Sequence, residues 1–277
     1  MQYLNRVLHG DCEKVLKQIP DDSIDLIFTS PPYAKQRWST YGGIAPNEYV
    51  KWFIPKAKEF QRVLKPKGTF LLNIKEPVVK GERHTYVIDL ILALRDQDWL
   101  WTEEFIWHKK NSFPGKWPNR FRDAWERVLQ FNTQRTFKMS QDSVKVRIGD
   151  WARNRLLNLS DNDKIRDMSR VGSGFGKNVS KWVGKRKVYP TNVLQLATVS
   201  ANMNHSAVFP EDLPRWFIKL FTRPGDVILD PFLGSGTTAV VAVSLDRNYV
   251  GIEKEIEYCD LAKGRISQQK RQKAVKK

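Results

Sequence analysis

Short apolar runs alternate along the chain with longer stretches of helical spacing. Residues 4–8 read as a short strand, and GDCEKVLKQIP (10–20) as a short helix. IDLIF (24–28) is a near-continuous apolar run, the pattern of a strand covered on both faces. YVKWFIPKAKEFQRVL (49–64) has apolar positions three and four apart and predicts a helix, with KPKG (65–68) as its terminator. TFLLNI (69–74) predicts a strand, YVIDLILALRDQ (86–97) a helix and LWTEEFIWHKK (100–110) an extended segment. AWERVLQFN (124–132) predicts a further short strand packed near the last. After residue 200 the same alternation resumes: helix LPRWFIKLFT (213–222), strand DVILD (226–230), helix TTAVVAVSL (237–245), strand NYVGIE (248–253). Strands alternating with helices argue for an α/β fold with a parallel sheet.

Between about 136 and 200 periodicity fades. From Lys138 to Pro190 there are 13 basic and 5 acidic residues, a local net charge of +8. The last 15 residues, KGRISQQKRQKAVKK, carry seven basic and no acidic side chains, which suggests a frayed, solvated helix. The expected organisation is therefore a core in two halves, 1–135 and 201–265, an insert at 136–200 and a basic tail at 266–277.

A chain of 277 residues with 41% hydrophobic content can bury a substantial core. Its formal charge of +17 points to a polyanionic partner, nucleic acid first and a membrane surface second. No apolar stretch is long enough to span a bilayer, and the first residues lack a signal peptide's apolar core. Two cysteines, Cys12 and Cys259, exclude a disulfide framework and a four-cysteine zinc site. His9, His84 and His108 are too scattered to suggest a metal. A cytoplasmic location is the default expectation.

Two stretches carry candidate chemistry. The strand IDLIF runs into TSPPY (29–33), and two prolines in a row stop a sheet ladder. The result is a stiff turn at a strand's C-terminal end, where α/β sheets bind ligands. It presents Ser30, a proline carbonyl and the Tyr33 ring. In DVILDPFLGSGTT (226–238) a strand ends at Asp230, a glycine-rich turn follows, and a helix begins near Thr237 or Thr238. The next strand ends in Glu253, 23 residues after Asp230, where an acid can accept both hydroxyls of a ribose. The third glycine of a dinucleotide loop and the Gly-Lys-Thr of a phosphate-binding loop are both absent. A nucleoside ligand carrying a carboxylate instead of a pyrophosphate fits: S-adenosylmethionine.

Together these stretches resemble the β-class DNA amino-methyltransferases, in which the catalytic motif precedes the cofactor motif. TSPPY (29–33) is similar to the catalytic motif, DPFLGSGTT (230–238) to the cofactor loop and VGIE (250–253) to the ribose-binding acid. HGDC (9–12) resembles the segment whose aspartate lies near the cofactor adenine, and HSAVFPEDLPRWFI (205–218) the helix entry over the methionine part. WHKKNSFPGKWPNRFRDAWERVLQF (107–131) resembles the lining of the target-base pocket. The resemblance implies a Rossmann-like α/β fold with a mostly parallel central sheet, permuted motif order and an inserted basic target-recognition region. It implies Ser30, Pro31, Pro32 and Tyr33 as catalytic residues. It implies Asp11, Thr29, Phe209, Asp230, Pro231, Phe232, Gly234, Ser235, Gly236, Thr237, Thr238 and Glu253 as cofactor-binding residues. Arg120 and Arg122 are candidates for phosphate contact near a flipped base, and Arg153, Arg155, Lys185 and Arg186 for DNA contact in the insert. No metal is expected. Double-stranded DNA, a possible cognate restriction endonuclease and action as monomer or homodimer complete the expectation.

The chemistry follows from the residue types. An exocyclic amine on a base is a poor nucleophile, so a site must hold it in line with a sulfonium methyl. It must also accept hydrogen bonds from the amine protons as nitrogen becomes tetrahedral. Ser30 Oγ and the Pro31 carbonyl are two such acceptors, and Tyr33 can stack on a base flipped from the duplex. The expected reaction is a direct displacement without a covalent enzyme intermediate, since neither cysteine follows a proline. In this class, serine before Pro-Pro accompanies cytosine N4 methylation, whereas Asp or Asn accompanies adenine N6. The alternatives are adenine-N6 methylation and a DNA-binding module without catalysis. Trp38, Tyr41, Gly42 and Gly43 after the catalytic turn could form a lid or a plain surface loop.

Overall fold

The computed structural model describes residues 2–34, 43–112, 115–168, 179–198 and 209–275. Two compact units divide it, 1–140 with 192–277, and 141–191. Within the larger unit eight described strands form one sheet. In chain order they are β1 (Arg6–His9), β2 (Ile24–Thr29), β3 (Leu64–Ile74), β4 (Leu100–Lys109), β5 (Trp125–Asn132), β6 (Val193–Leu196), β7 (Val227–Asp230) and β8 (Asn248–Glu253). Their spatial order is β1-β8-β7-β2-β3-β5-β4-β6. All pairings are parallel except those of β5, which runs antiparallel to both β3 and β4. The exception has a local cause. Only the stretch 110–124 joins β4 to β5, and among its described residues there is no crossover helix, so the chain returns beside the strand it left.

Every residue of β2 is buried, as a central strand of a covered parallel sheet requires. Alternation sends Ile27 and Phe28 to opposite faces. A helix at Tyr49–Val63 covers the Ile27 face, where Phe53 and Phe60 pack on Phe70 of β3 at 6.4 and 5.3 Å between ring centroids. A helix at Asp212–Phe221 covers the other face through Phe217, 5.6 Å from Phe28. The expected terminator KPKG does not end the Tyr49–Val63 helix as a turn. The helix passes directly into β3 at Leu64, which is extended (φ −77°, ψ 129°). KPKG instead forms a bulge, because β2 pairs at Ile24–Leu64 and next at Leu26–Thr69. Gly68 is needed there: a Cβ would lie 2.6 Å from Leu64 Cδ1 and 3.0 Å from the Asp25 carbonyl.

The basic tail is helical and mostly exposed, as expected, but it is not frayed over the described residues to Val275. One helix runs from Ile256 to Val275, so the tail continues an ordered element. Its Arg265 Nη1 donates to Ser235 O (2.8 Å), Ser235 Oγ (2.9 Å) and Thr237 Oγ1 (3.1 Å).

In the smaller unit, Val146–Arg147 pairs with Lys187–Val188, and two short helices span Asp150–Leu157 and Asp161–Met168. The first of these helices buries no residue, and Trp151 is 73% exposed. That explains the missing periodicity, because a helix with no core-facing stripe leaves no apolar repeat in the sequence.

Candidate active site

Strand order reverses direction between β2 and β7. The chain proceeds from β2 outward to β3, and from β7 outward to β8 on the other side. This is the switch point at which open α/β sheets leave a crevice at the strands' C-terminal ends. A cavity with about 690 Å³ of space, part of it open to solvent, lies there. Its lining gathers Gly10 and Asp11 after β1, Ser30 and Pro32 after β2, and Pro231, Phe232 and Gly234 after β7. Glu253 and Lys254 at the end of β8 complete that rim. The two sequence-distant motifs thus face one space.

At the catalytic turn, Pro31 is buried, and the Pro32 carbonyl accepts from Tyr49 Oη at 3.1 Å. Ser30 Oγ donates to Tyr33 Oη (3.2 Å), and Tyr33 Oη donates to Glu126 Oε2 (2.8 Å). Burial first, then the Glu126 carboxylate, hold the Tyr33 phenol well above its usual pKa, so it stays protonated. Glu126, from β5, also accepts from Lys109 Nζ at 2.5 Å and Asn73 Nδ2 at 3.3 Å.

Around the glycine loop, Glu253 is 3% exposed. Its Oε2 accepts from Gly234 N (2.7 Å) and its Oε1 from Glu255 N (2.9 Å). Carboxylate oxygens accept more than one bond, so the same group suits a vicinal diol. Asp11 caps the short helix Cys12–Leu16 by accepting from Glu13 N at 3.0 Å, and its residue lines the cavity. Gly236 begins the helix Thr237–Ser244 in the left-handed region at φ 87°. A Cβ there would lie 2.8 Å from the Ala262 Cβ.

Several expected cofactor residues stand behind the cavity. Thr29 and Asp230 are fully or almost fully buried and bond to each other, Thr29 Oγ1 donating to Asp230 Oδ1 at 2.8 Å. Thr238 Oγ1 and Phe232 N also donate to Asp230, at 2.6 and 3.1 Å. Burial raises the Asp230 pKa to about 6, against the pull of these three donors. Ser235 and Thr237 face Arg265, and Gly236 packs on Ala262. Phe209 meets Phe28 edge-on at 5.4 Å, outside the cavity lining. These groups shape the loop; of the expected cofactor residues, Asp11, Pro231, Phe232, Gly234 and Glu253 line the cavity itself.

Sequence reading missed Ile44, Trp52 and Lys56 in the lining, and with them Gly10, Cys12, Ile252 and Lys254 beside expected residues. Trp52 lies 5.6 Å from Phe232, forming an aromatic wall. Lys56 Nζ stands 4.6 Å from the Trp52 ring and 3.3 Å from Glu13 Oε2. Lys56, 4% exposed in an otherwise ordinary helix, leaves no signal in the pattern. Burial pushes the Cys12 thiol up to about 12, which makes it a poor nucleophile.

Among the DNA candidates, Arg120 pairs with Asp123 at 3.5 Å and lies 5.7 Å from the Trp117 ring, in a ribbon where Lys116–Trp117 pairs with Arg120–Phe121. Arg122 is exposed. Arg153, Lys185 and Arg186 are exposed in the smaller unit, whereas Arg155 Nη2 holds Asp163 Oδ1 at 2.6 Å. The lid candidates Trp38, Tyr41 and Gly42, and His205 at the helix entry, lie outside the described residues.

The chain is similar to known proteins over most of its length. A family model described as DNA methylase, for N6 and N4 methylation, matches residues 24–264. The type II methyltransferase M.PvuII of Proteus hauseri is 33% identical over 272 residues, covering 90% of this chain and 80% of the relative. M.HinfI of Haemophilus influenzae is 29% identical, covering 95% and 68%. A solved PvuII DNA methyltransferase, described as cytosine-N4-specific, matches with TM-score 0.69 and 26% identity over 95% of this chain and 88% of that one. A putative DNA modification methylase of Thermus thermophilus, complexed with S-adenosyl-L-methionine, shares the fold at TM-score 0.62 and 22% identity, over 96% and 94%. With its catalytic turn and glycine loop opening on one cavity, this chain belongs to the N6/N4 DNA methylase family.

Proposed function

We propose that this DNA methylase transfers a methyl group from S-adenosyl-L-methionine to the N4 amine of a cytosine in double-stranded DNA. The observation that carries the reading is the shared cavity, with Ser30 on one wall and Phe232, Gly234 and Glu253 on the other. The groups present fit the cofactor. Glu253 suits the ribose hydroxyls, the Trp52–Phe232 wall suits a purine, and Asp11 suits its amine. When bound, S-adenosyl-L-methionine supplies an electrophilic methyl group on sulfur.

The chain's own residues do the rest. Ser30 Oγ and the Pro31 carbonyl accept the two amine protons and turn the nitrogen lone pair toward the methyl. The Tyr33 ring stacks on the flipped base. No residue is asked to form a covalent intermediate. Residues 1–135 and 201–265 act as two halves of one catalytic core, 136–200 as the target-recognition region, and 266–277 as a basic tail. Arg120, Arg122, Arg153, Arg155, Lys185 and Arg186 supply contacts to DNA. Support for cytosine comes from Ser30 before Pro-Pro and from the 33% identity to M.PvuII. By the same analogy with type II relatives, the protein serves a restriction–modification system in the cytoplasm beside a cognate endonuclease, as monomer or homodimer.

The test is to incubate plasmid DNA with the protein and methyl-labelled S-adenosyl-L-methionine, digest to nucleosides and weigh the products. N4-methylcytosine supports the reading. N6-methyladenine transfers the assignment to adenine, and no methylated nucleoside despite bound cofactor overturns DNA as substrate.

A further inference from the structure

The catalytic turn raises a question that its own residues do not answer. A serine hydroxyl is both donor and acceptor, and its hydrogen rotates to suit its surroundings. Methyl transfer needs Ser30 as an acceptor only. If its hydrogen pointed into the cavity, it would bond the lone pair on the substrate nitrogen, the pair that must attack. The same hydroxyl would then oppose the reaction that it is placed to assist.

The chain of bonds behind Ser30 settles the direction. Tyr33 Oη has one hydrogen. It faces Glu126 Oε2 at 2.8 Å and Asn73 Oδ1 at 3.3 Å, and the shorter contact is to a charged acceptor. With its hydrogen given to Glu126, Tyr33 Oη is left as an acceptor, 3.2 Å from Ser30 Oγ. The Ser30 hydrogen is drawn there and its lone pairs remain toward the cavity. Glu126 is held in turn: it is 8% exposed, and Lys109 Nζ (2.5 Å) and Asn73 Nδ2 (3.3 Å) donate to it. Asn73 Nδ2 also donates to the Arg127 carbonyl at 3.0 Å, which fixes the amide. Lys109 balances the charge, so that a carboxylate can stand among strands β3, β4 and β5 without an unpaired cost.

We propose that Glu126, paired with Lys109, is a positioning residue that acts through Tyr33 to orient the Ser30 hydroxyl as a pure acceptor for the substrate amine. This builds on the proposed amine methylation and adds what makes its acceptor one-directional. Glu126 is 8% exposed and lies outside the cavity lining, with Tyr33 between it and Ser30. Replacing it by the isosteric amide lets the Tyr33 hydrogen turn to Ser30, and the Ser30 hydrogen then turns into the cavity.

Single-turnover methylation of duplex DNA at saturating cofactor tests this with Glu126→Gln, Tyr33→Phe and the double variant. Each single variant should slow the chemical step by about 10- to 100-fold, less than the roughly 100- to 1,000-fold lost with a preorganised group that contacts the transition state directly. Cofactor affinity and the DNA KM should stay within about threefold, and the double variant should be no slower than the slower single, since both cut one chain. Tyr33→Phe leaves the Glu126–Lys109 pair intact, so it reports even where Glu126→Gln unfolds. Rates within threefold of wild type, or losses that multiply in the double variant, overturn the proposal. Neutron diffraction on deuterated wild-type crystals gives a readout independent of activity. The expected density places the Ser30 deuterium toward Tyr33 Oη and the Tyr33 deuterium toward Glu126; either pointing elsewhere overturns the proposal. A wild-type protein that makes no N4-methylcytosine would sink the base assignment while the deuterium positions still decide the orientation.

Discussion

Asp230→Asn should make folding stability less sensitive to pH while leaving cofactor affinity nearly unchanged. Asp230 sits 2% exposed between β7 and β2, and its carboxylate is spent on Thr29, Thr238 and the Phe232 N–H. Burial lifts its pKa from 3.8 to about 6 in the folded state. Below about pH 4 the group is protonated in both folded and unfolded chains and exacts no ionisation cost. Between pH 4 and 6 the unfolded chain releases the proton and the folded one keeps it, so stability falls as pH rises. Above pH 6 the loss levels off at about two pKa units, or ~3 kcal/mol, of which ~2 kcal/mol falls between about pH 4.5 and 7.5. Asparagine keeps the shape and can still accept from Thr29 and Phe232, while its amide donates to a reoriented Thr238 hydroxyl. The variant therefore gains ~2 kcal/mol relative to wild type between those two pH values, on top of a constant offset. Urea unfolding of both proteins across that range, with cofactor binding by isothermal titration at pH 7.5, is the assay. Parallel stability profiles would refute the buried clamp. A tenfold or larger drop in cofactor affinity would mean that the carboxylate itself touches the ligand.

Three further outcomes follow from the same contacts. Glu253→Ala should weaken cofactor binding about 10- to 100-fold, because charge-assisted bonds are worth roughly 1.5–3 kcal/mol; titration calorimetry measures it, and an unchanged affinity would remove Glu253 from the site. Gly236→Ala should destabilise the fold by about 1–3 kcal/mol, from the left-handed φ of 87° and the approach to Ala262, read as a lowered Tm. Arg153 has no ion pair among the described residues, whereas Arg155 holds Asp163. Arg153→Ala should therefore reduce the salt slope of DNA binding by about 1, and Arg155→Ala by less. The opposite ranking in binding titrations over a salt series would contradict the assignment.

Much of the sheet could be read from residues alone. IDLIF and NYVGIE are dense apolar runs, and each became a central strand because burial on both faces demands that pattern. The glycine loop was legible because strand, glycines, helix and acid must follow in that order. What stayed hidden depends on partners far apart in sequence. KPKG looks like a stop, yet pairing with β2 recruits it as a bulge. Asp230 looks like a ligand group until Thr29, 201 residues away, turns its carboxylate inward. Arg265 reads as a solvated tail charge, but the helix carries it back under Ser235 and Thr237. Glu126 and Asn73 did leave a trace. A carboxylate in AWERVLQFN and an amide in TFLLNI each interrupt an apolar strand, and buried polar groups in strands need partners.

The most direct measurement is the single-turnover rate of N4-methylcytosine formation by wild type and Ser30→Ala, with cofactor affinity measured in parallel. The account gives N4-methylcytosine from the wild type, a rate lower by about 100-fold or more in the variant, and an unchanged cofactor affinity, since Ser30 acts on the amine in the transition state. Equal rates in the two proteins would contradict it.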